Sequence, residues 1–352
     1  MKTNRGYIYG CVLAVMIVLL MAANLVFGSV DIPMKAVANI LFGGEVEKDS
    51  WQFIVWESRV PHYYICSSSY HFVYIVRFYS TSTCISTFKP SLSISIFNSS
   101  ILGISSGASL GVALVLLAGG GSIIAGEFVL SGFLSVVAGA FAGAALVMAI
   151  ILSLSAIIKN TVMLLIAGIM IGYVVSSIIS LLNFFSTAEG VHSFVLWGMG
   201  NFGGVSMKQL PGFSIITLLG LLIAVLMIKP LNALLLGIRY AENLGVNIRR
   251  VRNWLLIATG LLTAVTTAFC GPIAFIGLAV PHMARLMLGT SNHNMLMPVT
   301  LLTGSAVALL CNLICILPGE TGIIPLNAVT PLLGAPVIIY VIINQRKIQY
   351  FN

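Results

Sequence analysis

Long apolar runs, separated by short polar stretches, make up most of this sequence. Nine runs of about 16 to 25 residues show no alternation of apolar and polar positions, and about 20 apolar residues in a helix cross a bilayer. A membrane tolerates only helices or closed barrels, and a barrel strand alternates with period two, so these runs predict membrane-spanning helices. They cover residues 8–27, 101–117, 128–152, 162–182, 213–228, 254–269, 273–288, 299–317 and 328–343.

The distribution of Lys and Arg decides the number of crossings. With nine crossings and a cytoplasmic start, residues 231–253 and their four arginines would lie outside, against the positive-inside rule. A further crossing at 63–79 corrects this, and we therefore predict an all-α polytopic bundle of ten transmembrane helices with both termini cytoplasmic. One transmembrane domain then spans residues 1–352. Thirteen of the 17 Lys and Arg are then cytoplasmic, all but Lys35, Lys48, Arg59 and Lys208.

Composition agrees with a membrane protein and argues against a soluble one. The chain is 59% apolar and only 7% charged, whereas soluble domains are about 25% charged. The first run, 8–27, follows Lys2 and Arg5 as in a signal peptide, but it is long and lacks an A-x-A site, so we interpret it as a retained anchor. Glycines recur at one-turn spacing, which indicates close helix packing, with a glycine-lined pore as the alternative. These glycines are Gly103/Gly107/Gly111, Gly139/Gly143 and Gly168/Gly172.

The sequence contains no pattern typical of catalysis. GxxxxGK[ST], GxSxG and HExxH have no match, so we expect no catalytic residue, no metal, no cofactor and no nucleic-acid partner. An ion-coupled secondary transporter is the alternative class. Such proteins keep an ionisable group at mid-membrane, whereas the nine runs contain no central Asp or Glu. The energy source is therefore expected in another subunit.

One cytoplasmic loop, residues 230–253, is predicted to contain a short amphipathic helix. This helix covers 236–244, and Gly245 is placed to end it before Arg249, Arg250 and Arg252. From its residues alone, the loop fits either docking to a partner or contact with lipid head groups.

Several motifs in this sequence resemble a known family. Residues 271–285, GPIAFIGLAVPHMAR, resemble the G-x-I-x-F-[VI]-G-L-x-x-P-H-x-x-R signature of the FecCD/BtuC family of ABC importer permeases. Residues 101–108, the Trp197-Gly198-Met199-Gly200 segment and residues 333–336 are similar to other segments of that family. The resemblance covers nearly the whole chain outside residues 62–100.

This resemblance implies an importer subunit in the bacterial inner membrane, surrounded by lipid. It implies a homodimer with the path between its subunits, two ATP-binding cassette subunits inside, and a periplasmic or lipid-anchored substrate-binding protein outside. A ferric siderophore is the first expected substrate, and haem and cobalamin follow.

The resemblance also assigns roles to individual residues. It places the ATPase-coupling helix at Gly237, Ala241, Glu242, Leu244 and Gly245. It makes the gate and signature residues Trp197, Gly200, Gly271, Pro272, Gly277, Pro281, His282 and Arg285. For Pro281 with His282, a simple helix end is the alternative to a gating role.

Some positions depart from the family pattern. Asn312 and Ile316 stand where many relatives carry Asp and Arg, so Arg59 is the remaining candidate to bind the substrate-binding protein; its alternative is a snorkelling contact with head groups. Residues 62–100 contain eleven serines but no Gly or Ala, and they replace the expected second helix and the turn after it. We interpret this segment as the product of two compensating frame errors, with a divergent second helix as the alternative.

Overall fold

The computed structural model describes ten stretches of the chain. They are residues 2–26, 32–41, 49–59, 103–120, 122–125, 128–158, 161–202, 209–289, 292–317 and 324–349. The anomalous segment 62–100, with its predicted crossing at 63–79, lies outside the described residues.

The described chain is helical apart from one short hairpin. Its first half contains α1 (Lys2–Val26), α2 (Met34–Leu41), α3 (Asp49–Phe53) with a π-helical continuation (Ile54–Arg59), α4 (Ile104–Ala113) with a π-helical turn (Leu114–Ala118), antiparallel strands β1 (Ser122–Ala125) and β2 (Phe128–Ser131), α5 (Phe133–Ile157) and α6 (Thr161–Phe185). Its second half contains α7 (Ala188–Gly198), α8 (Leu210–Leu226), α9 (Ile228–Leu235), α10 (Ile238–Asn243), α11 (Ile248–Cys270), α12 (Ile276–Leu288), α13 (His293–Ile316) and α14 (Leu326–Gln349).

Polar residues and glycines set the ends of these apolar helices. Asn247 begins α11 by accepting a hydrogen bond from the Arg250 amide at 3.1 Å, and Asn292 does the same for α13. Both are N-cap residues, whose side chains satisfy amides that have no partner within the helix. Gly289, at φ 57°, ends α12 in the left-handed region that favours glycine.

The chain forms two compact units, and the first contains α1 to α3 and α12 to α14. Within it α1 packs on α13, while α12 packs on α13 and α14. Asn24 of α1 is fully buried; its Nδ2 donates to Leu309 O at 3.1 Å, and its Oδ1 accepts from Asn312 Nδ2 at 2.9 Å. A buried amide pair therefore joins the first apolar run to α13.

The second unit contains α4 to α7 and α9 to α11, and glycines bring α4 and α5 together. A β-carbon at Gly111 would overlap Gly139 O, and one at Gly143 would overlap Gly107 O. The packing interpretation of these glycines is confirmed for this helix pair. The core that α5, α6 and α11 share is aliphatic: Val147, Ile151, Leu164, Val175 and Leu256.

Helix lengths agree with a multi-pass membrane protein. Among the described helices, α5, Met163–Phe185 of α6, α11 and α13 are long and apolar enough to cross a membrane, and α8 with α9 is a fifth if the bent pair is one span. Three further helical stretches are apolar but shorter. The described residues leave the count of ten and the position of the termini as predictions.

Two predicted spans start at the wrong residue. The run 128–152 was predicted as helix throughout, but Phe128–Ser131 pairs with Ser122–Ala125 as a strand, and the helix begins at Phe133. A short apolar run has the same pattern in a strand and in a helix, which explains the error. The run 273–288 is helical only from Ile276, and 13 residues reach about 20 Å, less than the roughly 30 Å hydrocarbon core.

Candidate functional site

The loop predicted to couple to an ATPase, residues 230–253 and called the coupling loop below, starts at a bent helix pair. The axes of α8 and α9 differ by 40° across Met227. Leu231 and Leu234 are buried and anchor α9. Gly237 then turns the chain at φ 106° and ψ 153°, a conformation essentially restricted to glycine, and α10 begins at the next residue.

Helix α10 ends at Gly245, where two backbone amides beyond the helix donate hydrogen bonds to carbonyls of its last turn. The Val246 amide donates to Ala241 O at 3.0 Å, and the Gly245 amide donates to Glu242 O at 2.9 Å. With Gly245 at φ 83°, this is the Schellman arrangement of a glycine-terminated helix. The prediction of a short helix that ends at Gly245 is confirmed. The helix covers Ile238–Asn243 and is shorter than the predicted range 236–244.

Helix α10 buries a small residue and has large apolar residues exposed on and beside it. Ala241 is fully buried, whereas Leu236, Tyr240 and Leu244 are 65%, 53% and 58% exposed. Tyr240 and Leu244 are one helical turn apart and therefore lie on one side of α10. Glu242 is exposed as well. The predicted coupling residues thus lie together on and around α10.

The three arginines after α10 have different surroundings. Arg249 and Arg250 are exposed, whereas Arg252 is half-buried. Its guanidinium Nη2 donates to Ser155 O, in the last turn of α5. A cation at the carbonyl end of a helix is favourably placed. Arg252 therefore ties the start of α11 to α5, a contact that the sequence pattern did not indicate.

Part of the signature segment packs against the end of α7. Gly271 follows α11 at φ 77° and ψ 174° and is buried. A β-carbon there would overlap Trp197 O and lie 3.2 Å from the α-carbon of Gly200. The structure thus brings together Trp197, Gly200 and Gly271, which are far apart in sequence. Pro272 follows, half-buried.

The rest of the signature forms the start and body of α12, in the other unit. Phe275 has φ 63°, the one non-glycine with positive φ among the described residues, and Ala274 N donates to Asn327 Oδ1 at 3.2 Å. Gly277 and Pro281 are buried, while His282 and Arg285 are half-buried.

The interpretation of Pro281 as a helix end is wrong. The helix continues from Ile276 through Pro281 to Leu288 and ends at Gly289. Proline removes one amide donor, here the bond to Gly277 O. The neighbours α13 and α14 pack on α12 and keep it helical across that loss.

The remaining predicted sites are more isolated. Arg59 is the last residue of the π-helical segment Ile54–Arg59, and its contact with a binding protein stays a prediction. Among the described residues, no group of three His, Cys, Asp or Glu side chains is placed to hold a metal ion. Sequence reasoning missed Asn24, although a lone Asn in the apolar run 8–27 was a usable signal.

Comparison with known proteins identifies the family. The FecCD transport family model matches residues 95–344. The vitamin B12 import system permease protein BtuC of Klebsiella pneumoniae subsp. pneumoniae is 36% identical over 247 residues, covering 70% of this chain and 71% of that protein. The protein of the same name from Salmonella typhi is 34% identical over 248 residues, 70% of this chain and 73% of its own length.

The fold has a solved counterpart. A metal-chelate type ABC transporter, solved in an inward-facing conformation, matches with a TM-score of 0.78 at 23% identity, over 95% of this chain and 98% of that one. At this identity the match concerns the fold alone. The family model covers well over half of the sequence, and the matched residues include the loop 230–253, Gly271 and α12. The chain therefore belongs to the FecCD transport family, as a multi-pass permease of the ABC importer type.

Proposed function

We propose that this chain is the membrane-spanning permease subunit of an ATP-driven importer that moves an iron chelate, first of all a ferric siderophore, across the bacterial inner membrane. Family membership and the long apolar helices support transport through a membrane. The observation that carries the ATP-driven part is the coupling loop, whose Tyr240 and Leu244 are exposed side by side. Exposed apolar side chains of this kind mark a contact with a protein or a membrane, and family membership favours the protein.

The coupling loop is the proposed docking element for an ATP-binding cassette subunit. Gly237 and Gly245 bound α10 with positive φ, so the loop has a defined shape rather than that of a random connection. Ala241 anchors α10 from inside, and Leu244 would enter a cleft of the ATPase. Because this sequence has no GxxxxGK[ST] loop, ATP hydrolysis is assigned to that partner.

The proposed assembly contains two copies of this chain, two ATP-binding cassette subunits and a periplasmic or lipid-anchored substrate-binding protein. Arg59 is the proposed contact with a carboxylate of the binding protein. His282 and Arg285 are the proposed gate side chains, since both are polar, half-buried and carried by the short helix α12. Trp197, Gly200 and Gly271 are proposed to hold the adjoining backbone in place.

Cobalamin is the second candidate substrate. The relatives at 34% and 36% identity are named for vitamin B12 import, which favours cobalamin over haem. Both candidates are large metal chelates, and selectivity is expected mainly from the binding protein.

Uptake into proteoliposomes tests the proposal and separates the substrates. The permease is reconstituted with an ATP-binding cassette subunit and a substrate-binding protein from the same genome, and uptake of ⁵⁵Fe-siderophore and ⁵⁷Co-cobalamin is measured with ATP inside. We expect ATP-dependent uptake of the siderophore and its loss in Gly245→Val, because a β-branched residue resists φ 83° at a cost of about 1 kcal/mol or more. Uptake that needs an ion gradient but no ATPase subunit would support the secondary transporter instead.

A further inference from the structure

A shallow depression lies beside α10, where the coupling loop joins α11. Its volume is about 500 Å³, and a water molecule takes about 30 Å³, so a side chain of a docked protein can enter it. The lining residues are Glu242, Gly245, Val246, Asn247, Ile248 and Arg249. The depression therefore combines one carboxylate, one amide and one guanidinium on a small apolar floor.

Its two charged groups are available to a partner. Glu242 and Arg249 are both exposed, and neither forms an ion pair with any residue in the described part of the chain. Asn247 already uses its Oδ1 to accept from the Arg250 amide. The depression thus presents opposite charges at two separate points of its wall.

Of the three arginines that follow α10, only Arg249 lines the depression. Arg252 is bonded to Ser155 O. Arg250 and Trp254 are both exposed and are one turn apart on α11, and a cation beside an indole is typical of a membrane interface. The three arginines therefore have different surroundings. Arg252 contacts α5, Arg250 lies one turn from Trp254, and Arg249 lines the depression beside α10.

We propose that the ATP-binding cassette subunit places a carboxylate against Arg249 and a cationic side chain against Glu242, which fixes the register of the docked loop. This inference rests on the proposed function and names the partner's chemistry at the same site. Docking of Tyr240 and Leu244 would cover the adjoining depression and remove water from both charges. Burying a charge without a counter-charge is costly, so the partner surface must be complementary. An anionic lipid surface fits this site less well, because its negative charge would repel the Glu242 carboxylate.

Charge reversal tests this pairing. Permease in nanodiscs is titrated with the ATP-binding cassette subunit that supports uptake in the proteoliposomes. Binding is measured at low and high salt for wild type, Glu242→Lys, Arg249→Glu and the matched control Arg250→Glu. Truncating one member of a desolvated interface pair costs affinity strongly, so we expect each reversal in the depression to weaken binding about tenfold or more and to reduce its salt dependence. Arg250→Glu should bind within about threefold of wild type.

The outcomes separate this inference from the proposed function. Wild-type affinity in both depression variants, with binding still lost in Leu244→Asp, overturns the charge pairing and leaves the docking loop in place. Normal binding by Leu244→Asp overturns the docking loop itself. Equal losses in Arg249→Glu and Arg250→Glu, seen only with anionic lipid in the nanodiscs, would assign the cluster to the membrane surface and also overturn the pairing.

Discussion

Replacing Gly271 by alanine should destabilise the protein more than the same replacement at Gly237 or Gly212. Two costs coincide at this position. The backbone at φ 77° and ψ 174° is in a region essentially restricted to glycine, which costs about 1 to 3 kcal/mol for another residue. A β-carbon would also overlap Trp197 O, a backbone atom that cannot rotate away, and overpacking of this kind costs about 1 to 3 kcal/mol. Together they predict about 2 to 6 kcal/mol.

Two other glycines separate these costs. Gly237, at φ 106° and ψ 153°, has the same kind of backbone but no atom within 4 Å of an added β-carbon, so Gly237→Ala measures strain alone. Gly212 lies in α8 with open space around it and no positive φ, so Gly212→Ala should be neutral or stabilising by up to about 1 kcal/mol.

Thermal unfolding in one detergent, followed by loss of the monodisperse peak on size exclusion, gives the order. We expect Tm to fall in the order Gly212→Ala, Gly237→Ala, Gly271→Ala. If Gly271→Ala unfolded together with Gly237→Ala, the close approach of Gly271 to the end of α7 would be refuted. If the Tm of Gly271→Ala equalled that of Gly212→Ala, the positive φ of Gly271 would be refuted as well.

Three further predictions concern sidedness, the buried amide pair and the anomalous segment. In a cysteine-free background, single cysteines at Asn247 and Glu189 should be labelled from the cytoplasmic and external side respectively; labelling of both from one side contradicts the ten-helix topology. Asn24→Leu should lower stability by about 0.6 to 1.7 kcal/mol because Asn312 Nδ2 loses the acceptor that Asn24 Oδ1 provides. Asn24→Leu combined with Asn312→Leu should lose less stability than the sum of the two single variants; strictly additive losses would contradict an energetic coupling between the two amides. Resequencing codons 62–100 should reveal another frame that encodes a Gly/Ala-rich apolar helix, and its absence would establish the serine-rich helix.

The helices and the coupling loop could be predicted because their signals are local. Apolar runs marked the positions of α11 and α13, and Asn247 and Gly245 marked where a helix begins and where one ends. The same local reasoning misplaced the start of α5, since Phe128–Ser131 fits a strand as well as a helix. It also misjudged Pro281, whose lost hydrogen bond is tolerated within a packed helix.

What could not be predicted depends on residues that are distant in sequence. Nothing near Gly271 indicates that the Trp197 carbonyl lies against it; the glycine only shows that something comes close. The bond from Asn24 to Asn312 likewise needs the packing of α1 on α13. For the arginines, the distribution of Lys and Arg along the chain predicted a cytoplasmic location, but the contact of Arg252 with the end of α5 depends on the folded structure.

The bond between Arg252 and Ser155 determines which helices would move when the coupling loop moves. Arg252 is in the second turn of α11, directly after α10, and it holds the last turn of α5. Helix α5 is 25 residues long, about 38 Å, and its glycines interlock with those of α4. A displacement of α10 would therefore be passed through α11 to α5 and α4, and over the length of α5 a small displacement at one end becomes a tilt at the other.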